Sequence, residues 1–259
     1  MLTSLHNPQV KNVVLLSQKA AVRRRSGLFV VEGRREVEQC LAAGYEIETL
    51  FVCPEIMGEY EASVLTAAER VDVSPAVYDK MAYRGGTEGM LAIVHIREQR
   101  LSDLPAVDAP LYIVLESVEK PGNLGAILRS ADAARADAVF VCDERCDLYN
   151  PNLLRSSLGA CFTVPTIACT SQACISFLRE RGVNILTAQL QDSILYYSAD
   201  MTRPTALVMG AESTGLSQQW REAADAHIRI PMLGHLDSLN VSVSTAILLF
   251  EAVRQRHQQ

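Results

Sequence analysis

Polar side chains that could bind a ligand are concentrated in one stretch near the end of the 259-residue chain. Residues 229–251 read RIPMLGHLDSLNVSVSTAILLFE: a short β-type run that ends at a proline, a polar hinge, and apolar residues at helical spacing. Ser238 and Asn240 lie in the hinge, where either could cap the helix through its side-chain oxygen. Because ligands of α/β proteins bind where strands end, the hinge is also the default ligand site. Helix capping alone is the alternative interpretation of both side chains.

An arginine lies in a similar turn-to-helix stretch earlier in the chain. Residues 120–134 read KPGNLGAILRSADAA, with Asn123 six positions before Arg129. A guanidinium stays protonated, so Arg129 suits gripping a phosphate or stabilising an alkoxide better than removing a proton. The alternative is a structural ion pair of Arg129 with Glu116 or Asp132.

Two further stretches carry charged groups beside glycines. Residues 205–217, TALVMGAESTGLS, predict a strand that enters a tight turn with Glu212, which could orient other site residues or be an ordinary turn carboxylate. Residues 155–165, RSSLGACFTVP, begin with Arg155, a second-tier candidate for a nucleic-acid contact.

These four stretches, in series across residues 111–254, resemble the motifs of the SpoU (TrmH-type) RNA 2′-O-ribose methyltransferases of the SPOUT class. Residues 120–134 match the first motif, 205–217 the second and 229–251 the third, and 155–165 match a softer fourth signature. The resemblance implies methyl transfer from S-adenosyl-L-methionine to a ribose 2′-OH, without a metal. In a site of this kind Arg129 is the predicted catalytic group that acts on the acceptor, and Glu212 is predicted to orient Arg129 or Asn240. Ser238 and Asn240 are predicted to hold the ribose or the methionine end of the donor. The resemblance also places the methyl donor on the backbone of Gly210, Ile230 and Leu239.

Two positions depart from the family pattern. Arg135 stands where the family usually has glycine, which affects how the first-motif helix ends because glycine is the residue that most easily adopts the left-handed conformation. Lys120 stands where an acidic residue is common in the family, so the contacts of the loop around residue 120 are expected to differ from the family pattern more than the chemistry does.

Overall composition describes a globular protein rather than a membrane protein or a metal protein. About half of the residues are apolar, and no apolar run approaches the ~20 residues of a membrane helix. The first residues contain no apolar signal core, so a cytoplasmic location is expected. The five histidines are scattered, and Cys142 with Cys146 is too isolated to indicate zinc, so the seven cysteines are expected to be reduced thiols.

The net charge of −6 argues against a non-specific polyanion binder, but the charge is unevenly distributed. Basic residues greatly outnumber acidic ones between residues 9 and 35, and they include the run Arg23, Arg24 and Arg25. A solvated surface is the alternative interpretation of this run. Next to a domain that resembles an RNA methyltransferase, contact with RNA phosphates is the better prediction.

Alternating apolar strands and helices predict an α/β protein of two domains. Residues 1–97 predict a small α/β domain, residues 98–109 a linker, and residues 110–259 a catalytic domain with a mostly parallel sheet. The run LFVVEGRREVEQCLAAG resembles the RNA-binding domain of ribosomal-protein type found ahead of SpoU domains, and the catalytic domain is expected to form the deep trefoil knot of the SPOUT class. Two local predictions are a helix over residues 57–69 and a strand over 161–167.

The resemblance implies a homodimer, with ribosomal RNA of the large subunit (23S type) as the substrate. Three alternatives remain open. They are a transfer-RNA 2′-O-methyltransferase, a catalytically silent RNA-binding or ribosome assembly factor, and an α/β enzyme acting on a small metabolite. The last is disfavoured because the chain has no glycine-rich nucleotide-binding motif after its first strand and no phosphate-binding loop of the Walker type.

Overall fold

Two α/β units make up the chain. The computed structural model describes residues 1–58, 69–83 and 88–257. One unit contains Met1–Arg97 together with Asp147–Thr163, and the other contains Glu98–Cys146 together with Val164–Gln259.

The elements are numbered here in chain order. The strands are β1 (Leu28–Glu32), β2 (Ile47–Val52), β3 (Glu69–Asp72), β4 (Met90–His95), β5 (Leu111–Glu116), β6 (Ala138–Cys142), β7 (Thr166–Cys169), β8 (Asn184–Ala188), β9 (Ile194–Leu195), β10 (Thr205–Met209) and β11 (Ala226–Arg229). The helices are α1 (Pro8–Gln18), α2 (Ala20–Ser26), α3 (Arg34–Ala42), α4 (Pro54–Met57), α5 (Pro75–Met81), α6 (Pro121–Ala133), α7 (Pro151–Ser157), α8 (Ala160–Thr163), α9 (Ser171–Glu180), α10 (Gln218–Ala223) and α11 (Val241–His257).

The first unit is built on a mixed sheet with the strand order β1-β4-β2-β3. Strand β4 is antiparallel to both β1 and β2, and β2 is parallel to β3. Apolar residues of α1 and α5, among them Val10, Val13, Val77 and Met81, pack with sheet residues such as Phe51 in a common core. The segment that supplies α7 and α8 belongs to this unit, and not to the catalytic domain predicted over residues 110–259.

The second unit is built on a seven-stranded sheet in the order β7-β6-β5-β10-β8-β11-β9, with every neighbouring pair parallel. All residues of β5, β6 and β10 are buried, as expected for strands covered by helices on both faces. On one face, Tyr112, Phe140 and Val208 pack with Leu178 of α9 and Trp220 of α10. Helix α11 contacts α6 and β10. The predicted α/β fold with a mostly parallel sheet is confirmed.

Two local predictions need correction. The segment proposed as a linker packs into the second unit: Leu104 is buried in its core, and the Arg181 guanidinium donates to the carbonyl oxygens of Leu104 and Pro105 at 3.0 and 2.9 Å. The strand predicted over 161–167 is shorter, because α8 occupies Ala160–Thr163 and β7 begins only at Thr166. Pro165 lies between them and cannot continue the helix, having no backbone N–H.

The helix predicted over residues 57–69 lies for the most part outside the described residues. Across the ranges that are described, no helix combines the length and the apolar character needed to span a membrane.

Candidate functional site

The ends of three neighbouring strands surround the main cavity of the second unit. Strands β8, β10 and β11 are in parallel alignment, so their carboxyl ends meet at one edge of the sheet. The cavity there has a volume of about 600 Å³. Its lining comes from the segments 188–191, 209–212, 214–216, 228–230 and 237–241, together with Lys120, Arg221, Met232, Ser244 and Leu248. A cavity of this size suits a small-molecule ligand.

A tight turn after β10 forms one wall of the cavity. The Gly215 amide donates to the Ala211 carbonyl oxygen at 2.9 Å, and Gly215 has a φ of 67°, in the left-handed region. A Cβ at Gly210 would lie 2.6 Å from both the Gly215 carbonyl oxygen and the Leu216 nitrogen. The close backbone approach therefore requires glycine at position 210.

The polar hinge before α11 also lines the cavity, and Asn240 caps the helix. Its Oδ1 accepts from the Ser242 amide at 2.9 Å and from the Ser242 hydroxyl at 2.6 Å, while its carbonyl oxygen accepts from the Ser244 amide at 3.0 Å. Ser238 is exposed, and its hydroxyl donates to Asp237 Oδ1 at 3.4 Å. Of the two candidate caps, Asn240 fills the role.

A hydrogen-bond network connects the three loops of the first, second and third sequence motifs. The Glu212 carboxylate accepts from the Lys120 ammonium and from the Asn123 side-chain amide. Asn240 Nδ2 donates to Asn123 Oδ1 at 3.2 Å, which extends the network to the start of α11. The amide of Asn240 thus caps the helix through its oxygen and connects to the first motif through its nitrogen.

The predicted donor-binding and catalytic residues divide into two groups. Gly210, Ile230 and Leu239 line the cavity, as do Glu212, Ser238 and Asn240. Arg129 is exposed on α6, outside the cavity lining. Within the described ranges, neither a hydrogen bond nor an ion pair engages its guanidinium, so the structural ion pair considered for it is not formed there.

Arg23 corrects the prediction of a three-residue RNA-binding run. Only 2% of this residue is exposed. Its Nε and Nη2 donate to Asp147 Oδ2 at 2.8 and 2.5 Å, and its Nη1 donates to the Leu16 carbonyl oxygen at 2.5 Å. A buried guanidinium must be paired and hydrogen-bonded, so the Arg23 side chain has a structural role inside the first unit and is not available to bind RNA phosphates.

The other predicted RNA contacts remain available on the surface of the first unit. Arg24 and Arg25 are both exposed on α2. Arg155 is exposed on α7 and borders a smaller cavity of about 250 Å³. Whether these three residues bind RNA stays a prediction.

Several polar residues at the cavity were missed by the sequence patterns. Gln189 Oε1 and Arg221 Nε line it and are buried without a hydrogen-bond partner among the described residues. Arg229 lines it too, and its guanidinium donates to the carbonyl oxygen of Ser193. These residues lie in separate elements and share no short motif, so only the fold brings them together.

Comparison with known proteins identifies the family. Residues 110–250 match the model of the SpoU rRNA Methylase family, and residues 7–92 match the MRM3-like substrate binding domain. The chain belongs to the SpoU rRNA methylase family. Its resemblance to that family, inferred from four motifs, is thereby confirmed.

Relatives of this SpoU chain extend over most of its length. The 23S rRNA (guanosine-2′-O-)-methyltransferase RlmB of Pectobacterium atrosepticum is 43% identical over 185 residues, which cover 69% of this chain and 75% of that protein. A crystal structure of an RNA 2′-O ribose methyltransferase is 37% identical with a TM-score of 0.86 and covers 99% of both chains. An AdoMet-bound rRNA methyltransferase from Sinorhizobium meliloti is 31% identical with a TM-score of 0.88, covering 98% of this chain and 97% of that one.

Proposed function

We propose that this protein transfers a methyl group from S-adenosyl-L-methionine to a ribose 2′-OH of large-subunit ribosomal RNA, with a guanosine as the target. The observation that carries the proposal is the network that joins Lys120, Asn123, Glu212 and Asn240 beside the cavity. This network connects the loops of the first, second and third SpoU motifs beside one cavity. The name of the relative from Pectobacterium atrosepticum supports the substrate and the nucleotide.

The cavity fits the methyl donor. Backbone at Gly210, Ile230 and Leu239 would hold the donor, and the missing Cβ at Gly210 lets the Gly215–Leu216 backbone pack closely against it. The unpartnered Gln189 Oε1 and Arg221 Nε offer an acceptor and a donor to a polar ligand. S-adenosyl-L-methionine supplies a methyl group already activated by its sulfonium, so no metal is expected.

Catalysis must act mainly on the acceptor, because a ribose hydroxyl is a poor nucleophile at neutral pH. We assign Arg129 to the RNA, where its exposed guanidinium would bind the phosphate and stabilise negative charge developing on the 2′-oxygen. Glu212 acts as a positioning residue that holds Lys120 and Asn123 through hydrogen bonds. Asn240 connects the start of α11 to this group through its hydrogen bond to Asn123. Ser238, exposed at the cavity, is available to the ribose or to the methionine end of the donor.

The expected assembly is a homodimer formed by the catalytic domains. Val243 and Phe250 of α11 are 47% and 48% exposed, and Leu233 and Leu236 of the preceding loop are 96% and 75% exposed. Apolar side chains this open on a helix and its adjoining loop support burial against a second copy. We further infer a trefoil knot in the catalytic domain, a ribosomal-protein type of fold in residues 1–97, and a cytoplasmic location.

Methyl transfer to purified RNA tests the function. The protein is incubated with donor labelled in its methyl group and either ribosomal RNA lacking the modification or transfer RNA. Label in ribosomal RNA alone is expected, and label in transfer RNA alone would replace the proposed substrate by the alternative one. Donor binding without transfer to either RNA would favour an assembly factor.

The same assay, run as a single turnover, tests Arg129. In Arg129→Ala, transfer should fall by a factor of roughly a hundred or more, the usual scale for a charge-stabilising group, while donor affinity stays at the parental level. Parental transfer by this variant would remove Arg129 from the mechanism.

A further inference from the structure

Three cysteines from separate elements meet in the second unit, away from the cavity of the methyl donor. Cys142 ends β6, Cys169 ends the neighbouring strand β7, and Cys174 lies in the first turns of α9. The two strand residues are register partners, and their sulfur atoms are 3.8 Å apart. All three sulfur atoms lie within 4.8 Å of one another.

The sulfur spacing matches a shared metal ion better than a disulfide bond. With a zinc–sulfur distance of about 2.3 Å, two thiolates on one tetrahedral ion are about 3.8 Å apart. A disulfide needs about 2.05 Å, so Cys142 and Cys169 would have to approach by almost half of their present separation. A metal ion therefore requires the smaller movement.

Burial and access also suit an ion. Cys142 and Cys174 are fully buried, whereas Cys169 is partly exposed and gives a path from solvent. Thiolates in an apolar interior are costly without a cation, and a soft cation removes that cost.

We propose that Cys142, Cys169 and Cys174 form a site for one thiophilic d10 ion, Zn²⁺ or Cu⁺. Three soft thiolate ligands select these ions over hard cations such as Mg²⁺. Among the described residues, the group that could share one ion here consists of these three thiols. The ion ties the ends of β6 and β7 to α9, and its role is separate from methyl transfer.

Metal titration of the freshly reduced, desalted 259-residue chain under anaerobic conditions tests the site. Co²⁺ reports thiolate ligation by its charge-transfer absorption, with Zn²⁺ displacing it, and Cu⁺ is measured against a chromophoric chelator. We expect one ion per chain, a higher melting temperature with the ion bound, and slower alkylation of Cys169. The ion that binds with the higher affinity, Zn²⁺ or Cu⁺, is the one assigned to the site.

A matched pair of double variants isolates the cluster. Cys142→Ser/Cys169→Ser should lose the ion and the melting shift, whereas Cys40→Ser/Cys161→Ser should keep both. The control pair is chosen because these two thiols also lie close enough to interact, but in the first unit. Cys169→Ala, at the partly exposed position, gives the same answer if the first variant fails to fold. The proposal is overturned if the parent binds no ion, if the control loses it equally, or if folded Cys169→Ala retains it.

Discussion

The substitution Gly210→Ala tests whether close packing of the turn after β10 shapes the cavity proposed for the methyl donor. The added Cβ would lie 2.6 Å from the Gly215 oxygen and the Leu216 nitrogen, where ordinary contacts begin at 3.4 Å. The Gly215 carbonyl carbon is closer still, so the backbone must move by about 1 Å. No flexible side chain can absorb this change, because the crowded atoms belong to main chain.

Overpacking of this kind costs about 1–3 kcal/mol. If the turn moves out of place, the cost falls on donor affinity, which should weaken by about 5- to 150-fold. Calorimetry with S-adenosyl-L-methionine measures this affinity, and urea unfolding measures how much of the cost falls on stability instead. Gly234→Ala is the matched control, since a Cβ there meets no atom within 4 Å. Parental affinity and parental stability in Gly210→Ala would refute the proposed close packing of the turn.

Three further predictions concern arginines outside the cavity. Arg23→Ala should lower the free energy of unfolding by about 3–5 kcal/mol, because it leaves the Asp147 carboxylate without its buried partner; a urea midpoint equal to that of Arg24→Ala would contradict this. Arg24→Ala/Arg25→Ala should keep parental stability but reduce the slope of log K for RNA against log salt by about two units, and an unchanged slope would make the run a solvated surface. Arg135→Gly should raise the free energy of unfolding by up to about 1 kcal/mol, because Arg135 has a φ of 52°; destabilisation in urea would show that its side chain matters more than its backbone.

Residues close in sequence could be placed from the sequence, because their geometry depends on local rules. Asn240 is a good cap for a following apolar helix, and it caps α11. Arg135 occupies a position where the family usually has glycine, which predicts a left-handed residue there. It adopts the left-handed conformation in a turn where the Ala136 amide donates to the Ala131 carbonyl oxygen at 2.9 Å.

Contacts between distant residues could not be predicted in this way. Arg23 looked like its neighbours Arg24 and Arg25, and only its orientation on α2 toward Asp147, 124 positions later, makes it structural. Lys120 departs from the family pattern, and nothing in the sequence indicates its partner Glu212, which the pairing of β5 with β10 brings near it.

The cysteines show the same limit for metal ligands. Cys142 and its near neighbour in sequence, Cys146, do not form a metal-binding motif. The parallel register of β6 and β7 instead brings Cys142 to Cys169, 27 positions away. Spacing rules detect ligands on one local segment and miss those that a sheet assembles.

Nucleoside analysis of the RNA product tests the central claim most directly. Ribosomal RNA lacking the modification is treated with this protein and S-adenosyl-L-methionine, digested completely to nucleosides, and analysed by mass spectrometry. The account predicts that 2′-O-methylguanosine appears only when both protein and donor are present, and that it is lost with Arg129→Ala. A methyl group on the base, or no new methylated nucleoside with a protein that binds the donor, would contradict it.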